Sequence, residues 1–186
     1  MTRIKTIDHT EATGDLKTIY DELVQTRGRL ANVHKIQSLR PESIRQHMDL
    51  YMGIMFSRSE LSRAQREMMA VVVSTANGCS YCTRHHAEAL NHYWKNEEKI
   101  NQLIDGSWTG LVDPKDMTLC LFAKGLTTDP SLHERQDFTL ALKAVGYSDS
   151  AILDASLVIS YFNFVNRMVL SLGVEVEQEG QGGYKY

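Results

Sequence analysis

The sequence has 186 residues, 42% of them apolar and 23% charged, and a formal net charge of -3. That length can bury a real hydrophobic core, and the composition excludes disordered, fibrous and disulfide-scaffold chains. The small charge and scattered basic residues give nucleic acid no footprint, and the apolar runs fall short of the roughly 20 residues that a membrane span needs. The start, MTRIKTIDHT, carries no signal-peptide core. A soluble, cytoplasmic protein is expected, with one domain over 1–173 and a polar, glycine-rich extension over 174–186.

Periodicity predicts helices in chain order. An amphipathic helix over 15–27 places Leu16, Ile19, Tyr20 and Leu23 on one stripe, and a short helix follows Asn32. Over 41–56, Ile44, Met48, Tyr51, Met52 and Met55 recur at spacings of three and four. Ser62 and Gln65 form a capping box that starts a helix to Asn77. Within it MMAVVV has strand-like propensity, but the capped segment is too long for a typical strand, and Gly78 suits a left-handed stop. Further helices are expected over 79–94, 97–105, 114–125, 134–145 and 148–173. No segment alternates apolar and polar residues as a half-buried strand does, so the predicted class is all-α.

The segment NGCSYCTRHH holds the most specific pattern. On a helix, Cys79, Cys82 and His86, at spacings of three and four, share one face. A free thiol with a pKa of about 8.5 is only about 3% thiolate at pH 7. The first helical turn and His86 are the groups that can favour the anion, and lowering the pKa by ~2 units takes about 2.7 kcal/mol. Glu67 lies eleven residues before Gly78 and His86 eight after it. If the two helices fold back at the glycine, these residues stand roughly 4.5 Å apart along the axis. A carboxylate in so apolar a segment needs a partner, which His86 or water would supply. Against this stands the plainer reading of Glu67 as a solvated helix residue or a partner of Arg63, one turn after that arginine.

Three readings of the pair remain open at this point: redox chemistry, a metal site and inert burial. Three cysteines without an export signal make a structural disulfide framework improbable. Structural zinc wants four ligands at recognisable spacings, and only three are clustered here. Cys120, inside MTLCLFAKGL, is expected to be a small core residue, and His85 and His92 to lie off the reactive stripe, with His85 at the surface. Tyr161, Phe162, Phe164 and Val165 read as core. Asn163, Asn166 and Arg167 are positions that could border a pocket, with polar surface as the default.

Glu67, Cys79, Cys82 and His86 within SRAQREMMAVVVSTANGCSYCTRHHAEAL resemble the motif of alkyl hydroperoxidase D-like proteins in the carboxymuconolactone decarboxylase superfamily. That motif has a glutamate twelve residues before C-x-x-C and a histidine four past its second cysteine. ATGDLKTIYDEL and YFNFVNRMVLSLGVEVE are similar to the peroxidase-related branch. The resemblance implies an all-helical fold, a homo-oligomer (trimer or hexamer), no cofactor, and reduction of a hydroperoxide by the thiols. It implies that Cys82 attacks the peroxide, Cys79 closes the disulfide, and Glu67 with His86 relays protons. A lipoyl or thioredoxin-like protein thiol is the implied electron donor. Tyr81 departs from the histidine that many members carry between the cysteines. On geometry alone Cys82, on the i+4 stripe of His86, is expected to be the more acidic sulfur.

Overall fold

Helix α1, Gly14–Arg27, buries Leu16, Ile19, Tyr20 and Leu23, the stripe that the sequence marks, and stops where Gly28 turns left-handed at φ 82°. In this computed structural model, which describes residues 2–177, it is followed by α2 (Asn32–Lys35) and α3 (Pro41–Phe56). Next come α4 (Arg63–Ala76), α5 (Ser80–Trp94), α6 (Glu97–Ile104) and α7 (Pro114–Thr128). A 3-10 turn at Pro130–Glu134, α8 (Thr139–Ala144) and α9 (Asp149–Leu172) complete the order. The protein is all-α: 69% of it is helix, and the described residues contain no strand.

The chain divides into two compact units, Met1–Met52 with Met168–Tyr186, and Gly53–Arg167. In the first, Ala12, Leu16, Ile19, Tyr20, Leu23 and Ile44 form the core. Met52, expected on the apolar stripe of α3, is instead exposed, while His47 is buried. Of the extension expected over 174–186, residues 178–186 lie outside the described residues. Its first residues are docked: Val174 is buried, and the Glu177 carboxylate accepts from the Asn32 N–H at 2.7 Å.

His34 and His47 bring an acid sensitivity to this unit. Burial, the leading cause for both, pushes His34 down to about 3 and His47 down to about 4. His47, Arg27 and Arg29 press His34 further down and Glu177 opposes them. An unfolded histidine titrates near 6.5, so both groups are neutral in either state above that pH and cost nothing there. As pH falls through 6.5 toward 4, the unfolded chain binds protons that the folded unit refuses, and stability is lost at up to about 1.4 kcal/mol per pH unit per histidine. Urea midpoints between pH 7 and 4.5 should fall steeply, and His34→Gln should flatten the slope; a slope unchanged in that variant rejects this origin.

In the second unit, the capping box of α4 forms as the sequence predicts. The Gln65 N–H donates to Ser62 Oγ at 3.2 Å, and the Ser62 N–H donates to Gln65 Oε1 at 2.8 Å. MMAVVV is helical and buried throughout its length. Its β-branched residues cost helix propensity, and burial against several neighbours outweighs that. Helix α4 packs mainly on α5 and α7.

Two boundaries differ from expectation. Helix α7 runs three residues past Gly125, where the Thr127 and Thr128 hydroxyls donate to the Ala123 and Lys124 carbonyls. The helix expected over 134–145 is reduced to α8, because the Asp137 carboxylate accepts from the Thr139 N–H at 2.9 Å and its hydroxyl at 2.6 Å, a local turn that competes with the helical backbone.

Helix α9 is long and apolar enough to cross a membrane by length and composition, with a mean hydropathy of 1.3. Ala151, Ala155, Val158, Phe162 and Val165 instead form a stripe within the core of the second unit. Phe164, expected in the core, is 53% exposed, since it falls on the opposite side of this stripe.

Candidate active site

Gly78, at φ 67°, links α4 to α5 in two tight hydrogen bonds: its own N–H reaches the Thr75 carbonyl at 3.0 Å, and the Cys79 N–H reaches the Ser74 carbonyl at 2.9 Å. A side chain here would have to adopt the left-handed region, which glycine alone enters freely. Cys79 is the N-cap of α5 and Cys82 stands in its first turn. Both are buried and unpaired as disulfide, 1% and 3% exposed.

The fold-back puts His86 Nδ1 2.7 Å from Glu67 Oε2. Glu67 has no exposed surface, so this bond and its ion pair with Arg63 supply what water would have provided. The two partners weighed from the sequence are therefore both present, one on each carboxylate oxygen. Arg63 is itself fixed, with its guanidinium 3.7 Å over the Phe56 ring and Nη1 donating to the Met55 carbonyl at 2.7 Å. The imidazole of His86 meets the Phe162 ring edge-on at 4.4 Å. Among the described residues no hydrogen bond joins His86 to either sulfur.

The acidity of the two thiols is ordered opposite to the sequence expectation. Cys79 is held below the ordinary thiol value, because the Cys82 thiol and the Cys82 backbone N–H both favour its anion, against burial. Cys82 is pushed up by donating to Cys79, by burial and by the nearby negative charge, and the Asn166 side chain opposes these effects. The spacing of His86 said nothing about the S–H to S⁻ contact, and that contact outweighs the i+4 relation. Of the two thiols Cys79 is the more readily ionised, and Cys82 the one that holds its proton more tightly.

Other residues are placed as follows. Cys120 is fully buried on α7, and burial raises it to about 12, as suits a core thiol. His92 is exposed. His85, expected at the surface, is half-buried against the Tyr81 ring at 4.4 Å, because i and i+4 meet on α5. Asn166, a position that could border a pocket with polar surface as the default, is completely buried, and Ser74 and Asn77 of the α4 end join it. Three asparagines close to an apolar run were the available signal. A polar cleft of about 450 Å³ lined by Asn96, Lys99, Gln102 and Thr109 contains none of these groups.

The sequence model of the carboxymuconolactone decarboxylase family matches residues 41–115, which include all four motif residues. The crystal structure of a peroxidase-related protein from Silicibacter is similar over 98% of both chains, at 25% identity and a TM-score of 0.84. That of a peroxidase-related protein from Ralstonia eutropha, described as an alkylhydroperoxidase core, reaches a TM-score of 0.84 at 23% identity over 96% of this chain and 93% of the other. The match to the carboxymuconolactone decarboxylase family is confined to residues 41–115, and the chain as a whole has the alkyl hydroperoxidase D-like fold. A similar fold also serves a debrominase crystallised with 2,3,4-tribromopyrrole, at 19% identity and a TM-score of 0.78 over 95% of this chain and 92% of that one. That likeness is one of fold alone, and it separates the alkyl hydroperoxidase D-like architecture from any single substrate.

Proposed function

We propose that this protein is a cytoplasmic thiol peroxidase that reduces a hydroperoxide with Cys79 and Cys82, served by His86 and Glu67. The observation that carries the reading is the hydrogen bond from the buried Glu67 carboxylate to His86, one helical turn past a buried pair of free thiols. In the first step the Cys82 sulfur attacks the terminal peroxide oxygen and the O–O bond breaks. The Cys82 proton passes by way of His86 to the departing alkoxide, giving Cys82 sulfenic acid and an alcohol. Glu67, fixed at Nδ1, stabilises the imidazolium that forms in passing.

Cys79, the more acidic of the two thiols, then attacks the Cys82 sulfenic sulfur as its thiolate. The S–O bond breaks, and hydroxide takes a proton to leave as water with the Cys79–Cys82 disulfide formed. Two electrons leave the dithiol, and a lipoyl or thioredoxin-like dithiol restores them by exchange. Cys82 is assigned the attack because it alone lies one turn from His86, and because the lowered pKa of Cys79 favours closure of the disulfide. Assembly as a homo-oligomer, a trimer or hexamer, accompanies this reading.

The test is an anaerobic thiol titration before and after one equivalent of peroxide, followed by lipoyl or thioredoxin dithiol. Rapid loss of two thiols, recovered by the donor, is expected. Slow peroxide loss with rapid disulfide exchange would replace the peroxidase by a thiol-disulfide exchanger. Freshly purified protein should also contain well under one zinc per chain and keep its helical circular dichroism in chelator. Stoichiometric zinc whose removal unfolds the protein would favour a metal site.

A further inference from the structure

We propose that Arg63 is a positioning residue for His86: its ion pair with one oxygen of the buried Glu67 carboxylate keeps the other oxygen an acceptor only, and this fixes the imidazole as the tautomer with its proton on Nδ1 and its lone pair on Nε2. The inference rests on the reading of His86 as a proton relay and extends it to the start of α4.

Arg63 stands where helix stability gives a cation little reason to be. It is the first residue of α4, whose first turn contains no acidic residue, so its charge opposes the positive end of the helix dipole. Its pairing with Glu67 runs from cation to anion along the helix, the weaker order for an i to i+4 pair. The guanidinium is nevertheless held on three sides. Nη1 donates to the Met55 carbonyl at 2.7 Å, the Phe56 ring lies 3.7 Å from the guanidinium carbon, and Nη2 donates to Glu67 Oε1. Arg66, three residues on, makes the contrast. It donates to the Ile54, Ser57 and Leu61 carbonyls and so anchors the loop before α4, but among the described residues none of its hydrogen bonds reaches a carboxylate. Anchoring is thus supplied by one arginine, and only the other addresses Glu67.

Where the proton lies between Glu67 and His86 follows from groups of fixed character. A guanidinium only donates, so Oε1, which faces Nη2, carries no proton. Oε2 lies 2.7 Å from His86 Nδ1, and the proton of that bond belongs either to the nitrogen or to the oxygen. Burial alone favours the oxygen, as a neutral acid donating to Nδ1, because Glu67 has no exposed surface at which water could solvate a charge. The guanidinium reverses that preference. Only the anion attracts its charge, and at hydrogen-bond distance in a site where Arg63 is 14% exposed the attraction is little screened. Glu67 is then the acceptor and Nδ1 the donor, so in the neutral ring Nε2 is the nitrogen able to take a proton. Arg63 touches neither thiol in this scheme and acts through Glu67 on the ring.

The experiment is a proton–nitrogen correlation spectrum of full-length, reduced protein carrying nitrogen-15 in its histidine rings, recorded at pH 8, with the His86 signals assigned by their loss in His86→Gln. Wild-type protein should show Nδ1 protonated and Nε2 without a proton. Arg63→Met should lower that preference roughly tenfold toward the Nε2–H form, and Arg63→Lys, which keeps a cation, should restore most of it. A wild-type ring protonated on Nε2, or on both nitrogens, would overturn the proposal, as would an unmoved His86 spectrum in folded Arg63→Met protein. If Arg63→Met loses its helical circular dichroism, Arg63→Gln, which keeps donors without the charge, decides by the same criterion. A change of equal size in Arg66→Lys would reduce the effect to a loosened loop and overturn the proposal too. Because the spectrum needs no peroxide, the expected tautomer changes in a protein that fails to turn over peroxide reject only the peroxidase reading. Where peroxide is turned over, Arg63→Met should slow the first equivalent in the same proportion; an unaltered rate beside a shifted tautomer overturns the positioning role alone.

Discussion

Cys82→Ser protein is expected to lose the fast reaction with hydroperoxide altogether, whereas Cys79→Ser is expected to consume one equivalent and stop. The first substitution removes the sulfur beside His86. The second leaves that sulfur but no thiol within reach to condense with its sulfenic acid, so the oxidised species should accumulate and be trapped in a mass spectrum. His86→Ala should slow the first equivalent without altering the number of titratable thiols. The lowered pKa of Cys79 makes this a demanding test, because the more acidic thiol offers more of the nucleophilic anion. Sulfenic acid on Cys79 in the Cys82→Ser protein, formed at the wild-type rate, would exchange the roles of the two sulfurs and leave His86 to activate Cys82 for closing the disulfide.

Glu67→Gln should lower the rate of peroxide consumption by about 10²- to 10⁴-fold, the range for loss of a proton-transfer partner. The substitution keeps the shape and removes the charge that both Arg63 and His86 address. It therefore also breaks a buried ion pair, and a stability loss of about 3–5 kcal/mol is the usual scale when one member is removed. The two effects separate experimentally. A melting temperature lowered with an unchanged rate would make Glu67 an anchor of the fold and remove it from the chemistry. A lowered rate in protein that is still folded at the assay temperature supports the relay.

Much of the fold could be read from periodicity and caps. Ser62 and Gln65 located the start of α4, and the Leu16 to Leu23 stripe located the buried face of α1. The Glu67–His86 bond was legible because both residues are counted from one glycine along helices of fixed rise. What spacing does not encode is which of two adjacent thiols donates to the other, and that contact sets the order of acidity at Cys79 and Cys82. Asn166 and His47 were missed for a related reason. A polar residue on an apolar helix is exposed or buried according to whether partners from distant segments meet it, and Asn77, Ser74 and Gln37 are those partners. The short α8 was lost to a turn made by a single aspartate.

The turn at Gly78 also bears on how such a chain can change over generations. Glu67 meets His86 because eleven residues on one side and eight on the other bring two helices into register across a single left-handed step. Adding or removing one residue between them would swing the carboxylate by about 100° around α4 and move it about 1.5 Å along the axis, out of reach of the imidazole. Point replacements on the exposed faces of these helices leave the register untouched. Lineages carrying this arrangement should therefore vary freely in side chains and in the lengths of the loops before α7 and α8, yet tolerate no insertion or deletion between residues 67 and 86. The interval acts as a ruler, inherited by length as much as by letter.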